Sequence, residues 1–236
     1  VAGLAHRVDG DVERRHPSPE PTHDAVDGPR IRRLGALPAR GTERYRWSYP
    51  RFRLLEKSLT ATSSIADYGL ASVNLAGQTD AEPISSEIVA GGYFATLGAR
   101  ALRGRLFSAQ EDHSPSEAMV VILSHALWQR RYGGDLGILG QTVRVNSREL
   151  TVIGIMPPGF RGITGRAEMW VPATQAPRLT YPEYLTTNQD FSSVVARLRP
   201  GVSMEALRAE LSSVGAAIQR ELPSESEVPG DSFGAT

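Results

Sequence analysis

The chain has 236 residues, of which 40% are hydrophobic and 22% are charged, proportions typical of a soluble globular protein. Basic and acidic residues number 26 each, so the formal net charge is zero, which argues against a nucleic-acid-binding protein. The lack of cysteine excludes disulfides and thiolate zinc sites. No apolar run approaches the roughly 20 residues that span a bilayer, so we expect the chain as given to be soluble.

The two ends of the chain differ in composition from its middle. Residues 1–27 are rich in charged residues, histidine and proline and contain few large apolar side chains. Such a segment buries too little apolar area to offset its ordering entropy, so we expect a disordered leader. Residues 223–236 are polar and rich in serine, proline and glycine, and we expect them to form a tail. The folded domain is therefore predicted to span residues 28–222.

The domain is predicted to begin with a strand followed by a helix. Residues 31–37 have a weak strand pattern, because two adjacent arginines interrupt it. Ser48 is a favourable helix N-cap, and Pro50 is tolerated in the first helical turn. Apolar residues then recur at helical spacing and predict one buried face. This face comprises Tyr49, Phe52, Leu55 and Leu59.

The middle of the chain predicts strands joined by short helices and glycine turns. The predicted strands are residues 64–75, 84–89, 119–123, 142–145, 150–155 and 169–171. One short helix is predicted at residues 93–97 and ends at Gly98. A second is predicted at residues 126–132, with Ser124 as its N-cap and Gly133 after its last turn.

The last third of the chain predicts a loop, a strand and a helix. Residues 173–190 are expected to be a loop, because Pro177 and Pro182 interrupt regular structure. Residues 191–199 form the strongest late strand pattern, and Ser203 is the N-cap of a final amphipathic helix. The apolar face of this helix comprises Leu207, Leu211, Val214, Ile218 and Leu222. Since strands and helices do not alternate regularly, the predicted fold class is α+β.

Two clusters could support catalysis, but a structural role explains each. Ser124 lies beside His125, yet a catalytic Ser–His contact needs a third orienting group, and no G-x-S-x-G elbow is present. Glu111, Asp112 and His113 could form half of a carboxylate or metal site, and we interpret them as a solvated turn. An enzyme built on either cluster is kept as an alternative. We name no catalytic, metal-binding or cofactor-binding residue.

Two further patterns suggest ligands without defining a site. Residues 133–140 are rich in glycine, but they follow a helix and lead into a strand, the reverse of a phosphate-binding loop. Four aromatic side chains could line a stacking cleft, and we interpret them as core residues. These are Tyr93, Phe94, Trp128 and Trp170.

Six blocks in a fixed order resemble the periplasmic core domain of MacB-like permeases, which belong to the MacB/FtsX class of ABC transporters. The blocks are residues 47–52, 92–98, 104–107, 123–135, 152–160 and 196–203. The most specific runs are Trp-Gln-Arg-Arg-Tyr-Gly-Gly-Asp at residues 128–135 and Gly-Ile-Met-Pro-Pro-Gly-Phe at residues 154–160. The resemblance covers roughly residues 29–222.

The resemblance implies a fold in two parts. A porter-like βαβ pair would comprise residues 28–75 and 185–222, and a β-rich insertion called Sabre would comprise residues 76–184. The family implies a non-enzymatic domain without cofactor at the periplasmic face of the bacterial inner membrane. It would work with the transmembrane helices of its own permease, a cytoplasmic ABC ATPase and a periplasmic adaptor protein. The full-length permease is expected to be a homodimer.

The sequence departs from the family pattern at both ends. The first transmembrane helix should end just before residue 29, but residues 1–27 are polar instead. The porter-like part should close with one more strand, but only a polar tail follows Leu222, so we expect an isolated or truncated core domain. The residues expected to stiffen the porter-like part are Phe52, Leu55, Leu207, Leu211 and Trp128. The alternative function is a free-standing extracytoplasmic module that binds a peptide, lipid or protein partner. The substrate remains unknown.

Overall fold

The computed structural model of the protein describes residues 31–37, 47–77, 80–115, 119–223 and 232–235. The predicted leader, residues 1–27, lies outside the described residues, as do residues 224–231 of the predicted tail.

Within these residues the chain forms ten strands and six α-helices. The strands are β1 (Ile31–Leu37), β2 (Thr62–Leu75), β3 (Glu82–Ala90), β4 (Arg103–Gly104), β5 (Val120–Leu123), β6 (Thr142–Val145), β7 (Arg148–Ile155), β8 (Met169–Pro172), β9 (Ser193–Leu198) and β10 (Ser232–Ala235). The helices are α1 (Tyr49–Ser58), α2 (Tyr93–Leu97), α3 (Ala109–His113), α4 (His125–Tyr132), α5 (Ala176–Leu179) and α6 (Met204–Glu221). Three 3-10 helices comprise Leu136–Ile138, Ala173–Gln175 and Pro182–Leu185. This mixture confirms the predicted α+β class.

The predicted helix ends are confirmed by their hydrogen bonds. The side chains of Ser48, Ser124 and Ser203 each accept a bond from a backbone N–H three residues later, at the start of α1, α4 and α6. Gly98 and Gly133 follow α2 and α4 in the left-handed conformation, where glycine has no Cβ penalty. Local chemistry therefore fixes where these helices begin and end.

Four strands and two helices form a split βαβ pair. The strand order is β10-β1-β9-β2, and every neighbouring pair is antiparallel. Helix α1 connects β1 to β2, and α6 connects β9 to β10. Each helix therefore joins two parallel strands that have one antiparallel strand between them, as in ferredoxin-like folds. This arrangement confirms the expected porter-like βαβ pair.

A closing strand is present, so the expectation of none after Leu222 is wrong. Backbone pairing places Ser232 opposite Leu37 and Ala235 opposite Leu34. The strand has only four residues, Ser-Phe-Gly-Ala, and within a polar tail such a short alternation does not predict a strand. Its conformation follows from pairing with the free edge of β1, a contact between distant parts of the sequence.

The inserted part is a small closed barrel. Its strands pair in the order β2-β3-β8-β5-β7-β6, and the pair of Leu75 with Val145 returns the circuit to β2. Backbone hydrogen bonds from Ala76 to Arg144 and from Asn146 to Asn74 flank this closure. Alternate residues of every strand point inward, as a filled barrel requires. The interior includes Val73, Leu75, Ile84, Val121, Leu123, Val143, Val145, Leu150, Val152, Met169 and Val171.

Strand β2 belongs to both parts of the fold. Its first half, from Thr62 to Tyr68, pairs with β9, and its second half, from Asp67 to Leu75, pairs with β3. Fourteen residues of extended chain are about 45 Å long. The predicted boundary after residue 75 thus falls at the far end of a strand that the two parts share.

Three segments differ from their predicted structure. The expected loop at 173–190 contains α5 and two 3-10 helices, because Pro177 and Pro182 occupy the first turns of helices, where proline needs no N–H partner. The β6–β7 hairpin has a two-residue turn instead of the expected four-residue link. Its residues Asn146 and Ser147 have φ values of 46° and 64°, as a type I′ turn requires.

Helix α3 replaces the solvated turn expected around Glu111. The Ser108 side chain accepts a bond from the Glu111 backbone N–H, and the Glu111 side chain accepts one from the Ser108 N–H. This reciprocal capping box satisfies two N–H groups that would otherwise lack partners. The Ser-x-x-Glu pattern at residues 108–111 is the sequence signal for this helix.

Helices α1 and α6 pack on one face of the porter-like sheet. Phe52, Leu55, Leu207 and Leu211 are at most 1% exposed and belong to one cluster, as expected. Trp128 does not belong to this cluster, so its expected contribution to the porter-like core is wrong. It lies on α4 against the barrel, and its indole N–H donates to the carbonyl of Asp135 at 2.8 Å.

Leu211→Asp is expected to unfold the domain, because it buries an unpaired charge at the centre of the α6 contact. We expect a loss of more than about 4 kcal/mol, most of the stability of a typical domain. Ser212→Asp, on the exposed side of the same helix, is the matched control and should change stability little. Urea unfolding followed by circular dichroism measures both. Equal stability of the two variants would contradict the position of α6.

Candidate functional site at the paired terminal strands

The first and last described strands have their outer termini at the same end of the porter-like sheet. In the β1–β10 pair, Leu34 lies opposite Ala235, so the start of β1 and the end of β10 point to one end of the domain. Ile31 pairs with Arg197 of β9, and the neighbouring Leu198 pairs with Thr62 at the start of β2. Four strand ends therefore meet there, and β2 leads from them into the barrel.

A carboxylate on α6 holds the start of β2. The Glu210 side chain accepts bonds from the Thr60 N–H at 2.7 Å, the Thr60 hydroxyl at 2.6 Å and the Ala61 N–H at 2.8 Å. Burial opposes ionisation, but these bonds, helped by Arg199, outweigh it and hold the pKa of Glu210 below its ordinary value. The helix that precedes β10 is thus tied to the first residues of the shared strand.

A buried arginine joins both helices to the segment that re-enters the sheet. The Arg51 guanidinium on α1 donates to both carboxylate oxygens of Asp190, at 3.2 and 3.0 Å, and to Gln219 on α6 at 2.6 Å. It also lies over the Trp47 ring, 5.6 Å from the centroid. Both bonds to Asp190 come from one guanidinium nitrogen, and such charge-assisted bonds are stronger than neutral ones. Loss of either partner would leave a costly buried charge.

A second buried carboxylate fastens a loop to the junction between the two parts. Glu87 of β3 is fully buried and accepts bonds from the Tyr93 hydroxyl at 2.5 Å, the Trp170 indole at 2.8 Å and the Thr164 N–H at 2.8 Å. Burial and the Glu87 carboxylate raise the pKa of the Tyr93 phenol. The Tyr93 oxygen in turn accepts from the Ile163 N–H at 2.8 Å. The loop after β7 is thereby held over the outer face of the sheet.

Three of the four aromatic residues considered as a stacking cleft form a packed cluster. Phe94 contacts Tyr93 at a ring-centroid distance of 5.3 Å and Trp170 at 5.9 Å. Phe160 lies 5.3 Å from Trp170 on the other side. These rings are core packing between α2, β8 and the loop after β7, and Trp128 lies elsewhere.

The two clusters considered for catalysis make structural contacts. The Ser124 oxygen accepts from the Leu127 N–H at 3.1 Å, and the His125 ring packs edge-on against Trp128. Asp112 accepts from the Gly92 N–H at 2.7 Å. Hydrogen bonds from Arg105 and Ser108, opposed by burial, lower the pKa of Glu111.

Neither a metal-binding cluster nor a membrane-spanning helix occurs in the described part of the chain. Across residues 31–37, 47–77, 80–115, 119–223 and 232–235, no three histidine, cysteine or acidic side chains are grouped to hold a metal ion. The same residues include no helix long and apolar enough to cross a bilayer.

Solved structures with the same fold include an extracellular domain, a periplasmic region and a permease domain. The extracellular domain of the transporter YknZ from Gram-positive bacteria superimposes with a TM-score of 0.62 at 15% identity, covering 88% of this chain and 100% of that one. The periplasmic region of MacB from Actinobacillus actinomycetemcomitans gives a TM-score of 0.62 at 16% identity, covering 87% of each chain. A permease domain from Porphyromonas gingivalis superimposes with a TM-score of 0.60 at 21% identity, covering 88% of this chain and 90% of that one.

The family model of the MacB-like periplasmic core domain matches residues 23–214, and the chain belongs to this family. No curated protein sequence matches this chain.

The polar contacts that join the elements were missed by the sequence analysis. Arg51, Glu87, Asp190 and Glu210 have partners that are distant in the sequence, so spacing along the chain does not reveal them. Of these four residues, only Glu87 could have been recognised from the sequence. An acidic residue within an apolar strand must find buried donors or remain neutral.

Ser124→Ala is expected to lower the free energy of unfolding by about 1 kcal/mol, the usual cost of a lost N-cap. Ser203→Ala, which removes the equivalent bond at α6, should cost a similar amount. Urea denaturation of the two variants measures this. No loss in Ser124→Ala would exclude the capping role and revive the alternative centred on Ser124 and His125.

Gly162→Ala is expected to destabilise the domain more than Gly165→Ala. Both glycines have φ near +70°, so alanine costs about 1–2 kcal/mol of backbone strain at each. A Cβ at residue 162 would also lie 2.1 Å from a Glu87 oxygen, whereas residue 165 has open space around it. Because three donors hold Glu87 in place, we expect about 2 kcal/mol more loss at residue 162. Equal thermal stabilities would contradict the described loop.

Proposed function

We propose that this domain relays ATP-driven conformational change in a MacB-like permease to work outside the membrane, without catalysing a reaction. The observation that carries the proposal is the hydrogen-bonded path from the paired ends of β1 and β10 through β9 and β2 into the barrel. A segment attached at Ile31 or Ala235 would pull on strands that are directly paired.

The packing of the domain supports this role. Displacement is transmitted well by closely packed elements that move as a body. Helices α1 and α6 bury Phe52 and Leu211 against the sheet. The Arg51–Asp190 pair and the Glu210 bonds to Thr60 resist sliding of those helices along it. Motion at the paired terminal strands would therefore reach the barrel rather than dissipate within the porter-like part.

The partners follow from the same proposal. Transmembrane helices of the same permease would lie at the end of the domain where β1 begins and β10 ends, and a cytoplasmic ABC ATPase would drive them. The barrel, at the far end of β2, would contact the exported substrate or a periplasmic adaptor protein. We place the domain at the periplasmic face of the bacterial inner membrane, in a permease that works as a homodimer.

A break in β2 should uncouple the barrel from the ATPase. Leu70 and Ser72 are exposed on β2, at the start of its barrel half, and glycine at both positions weakens a strand by removing side chains and adding backbone freedom. Threonine at the same positions favours the strand and is the matched control. We expect L70G/S72G to fold, to hydrolyse ATP and to lose ATP-dependent movement of the barrel, whereas L70T/S72T retains it.

The movement is measured with spin labels in the permease that contains this domain, assembled with its ATPase in nanodiscs. A single cysteine at the exposed Glu149, in a domain without native cysteine, reports the distance between the two copies of the barrel. ATP should shift this distance in the native domain. A barrel that does not move with ATP would overturn the relay and favour the free-standing binding module. Unchanged movement in L70G/S72G would exclude β2 as the path.

A further inference from the structure

Asp67 is a buried acid without a counterion on the strand that both parts share. It is fully buried, and neither carboxylate oxygen has a hydrogen-bond partner among the described residues. Its side chain projects from the same face of β2 as Ile65, into the core beneath α1. Buried polar groups are almost always paired, so an unpaired one needs a physical explanation.

The space beside Asp67 is covered by the return segment, residues 181–192, which leads from the barrel back to β9. Gly69 follows Asp67 on the same face of β2, and a Cβ there would lie 3.4 Å from the Tyr184 hydroxyl and 3.9 Å from Ser192 Cβ. The Tyr184 hydroxyl is also buried and also lacks a partner. The Ser192 hydroxyl lies close by but donates to the Trp47 carbonyl at 2.7 Å.

Among the described residues, no cation compensates a charge at this position. Tyr184 of the return segment and Tyr49 and Glu56 of α1 are the titratable groups that act on it, and none is basic. The nearest strand partners are apolar, Ala90 on β3 and Val194 on β9.

The three cations of α1 are placed elsewhere: Arg51 binds Asp190 and Gln219, Arg53 pairs with Glu56 at 2.7 Å, and Lys57 is exposed. Burial, with a smaller contribution from Glu56, therefore raises the pKa of Asp67 to about 8. The nearby Ser192 hydroxyl and Tyr68 N–H oppose this shift only in part, because neither is in hydrogen-bonding geometry with the carboxylate.

We propose that Asp67 is a proton-binding site that controls docking of the return segment on the porter-like core. The neutral acid is compatible with the buried position beneath Tyr184. The carboxylate is not, because ionisation there leaves a buried charge with no counterion, and only release of the return segment lets water reach it. Proton loss from Asp67 would thus favour the released state, and proton uptake the docked state.

The direction of the pH dependence follows from linkage. The pKa of Asp67 rises from an ordinary value near 3.8 to about 8 on docking, so the docked state binds the proton more tightly. Docking is then strongest below about pH 4, weakens as the pH rises to about 8, and is constant above that pH. Within this window the equilibrium constant for release increases about tenfold per pH unit, one proton being lost.

Hydrogen exchange of the unmodified chain and of Asp67→Asn tests the proposal. At each pH, the exchange rate of the unmodified chain is divided by that of Asp67→Asn. This ratio cancels the intrinsic pH dependence of exchange. For amides of residues 181–192 we expect this ratio to rise about a hundredfold between about pH 5 and about pH 7, because asparagine carries no proton to lose. Glu183→Gln, at an exposed carboxyl in the same segment, is the control and should behave like the unmodified chain.

A ratio that does not change with pH would overturn the proposal. So would a rise spread evenly over the whole sheet, because the return segment would then not be the element that is released. If Asp67→Asn fails to fold, carbon-13 NMR of the carboxyl groups in the unmodified chain decides the question. A midpoint for Asp67 near pH 8 supports the proton-binding site, and a midpoint near its ordinary value overturns it.

Discussion

The fold depends on the unbroken backbone pairing of β2 with β9 at one end and with β3 and β6 at the other. Without this strand, the split βαβ pair would lose an outer strand and the barrel would be open. Because Asp67 and Tyr68 pair on both sides, the two ladders overlap and leave no unpaired hinge between the parts. A domain built this way transmits displacement along its sheet, whereas domains joined by a linker move independently.

Polar contacts occur where helices and loops meet this sheet, and those of Arg51 and Glu87 are buried. Glu210 ties α6 to the start of β2, Arg51 ties α1 to Asp190, and Glu87 fastens the loop after β7. Apolar packing alone is non-directional and would allow sliding along the sheet. Directional bonds remove that freedom, because any shift leaves a buried donor or acceptor without a partner.

Local features of the sequence predicted the elements, and contacts between distant residues explain what the sequence analysis missed. Short strand patterns between turn residues predicted β6 and β7, and serine caps predicted the starts of α1, α4 and α6. Strand β10 and the closure of the barrel at Leu75 and Val145 depend on pairing between segments far apart. Trp128 was assigned to the wrong core because hydrophobicity predicts burial but not the neighbour against which a side chain is buried.

The two buried carboxylates of the central strands show how hydrogen-bond donors decide the role of an acid. Glu87 has three donors that fix it in one geometry, so it serves as a brace for the loop that covers it. Asp67 has no donor in hydrogen-bonding geometry among the described residues, so in the proposed switch its ionisation and the docking of the return segment exclude each other. Since the return segment also carries Asp190, the partner of Arg51, its release would loosen the packing of α1. A proton at Asp67 would then set the stiffness of the path from the terminal strands to the barrel.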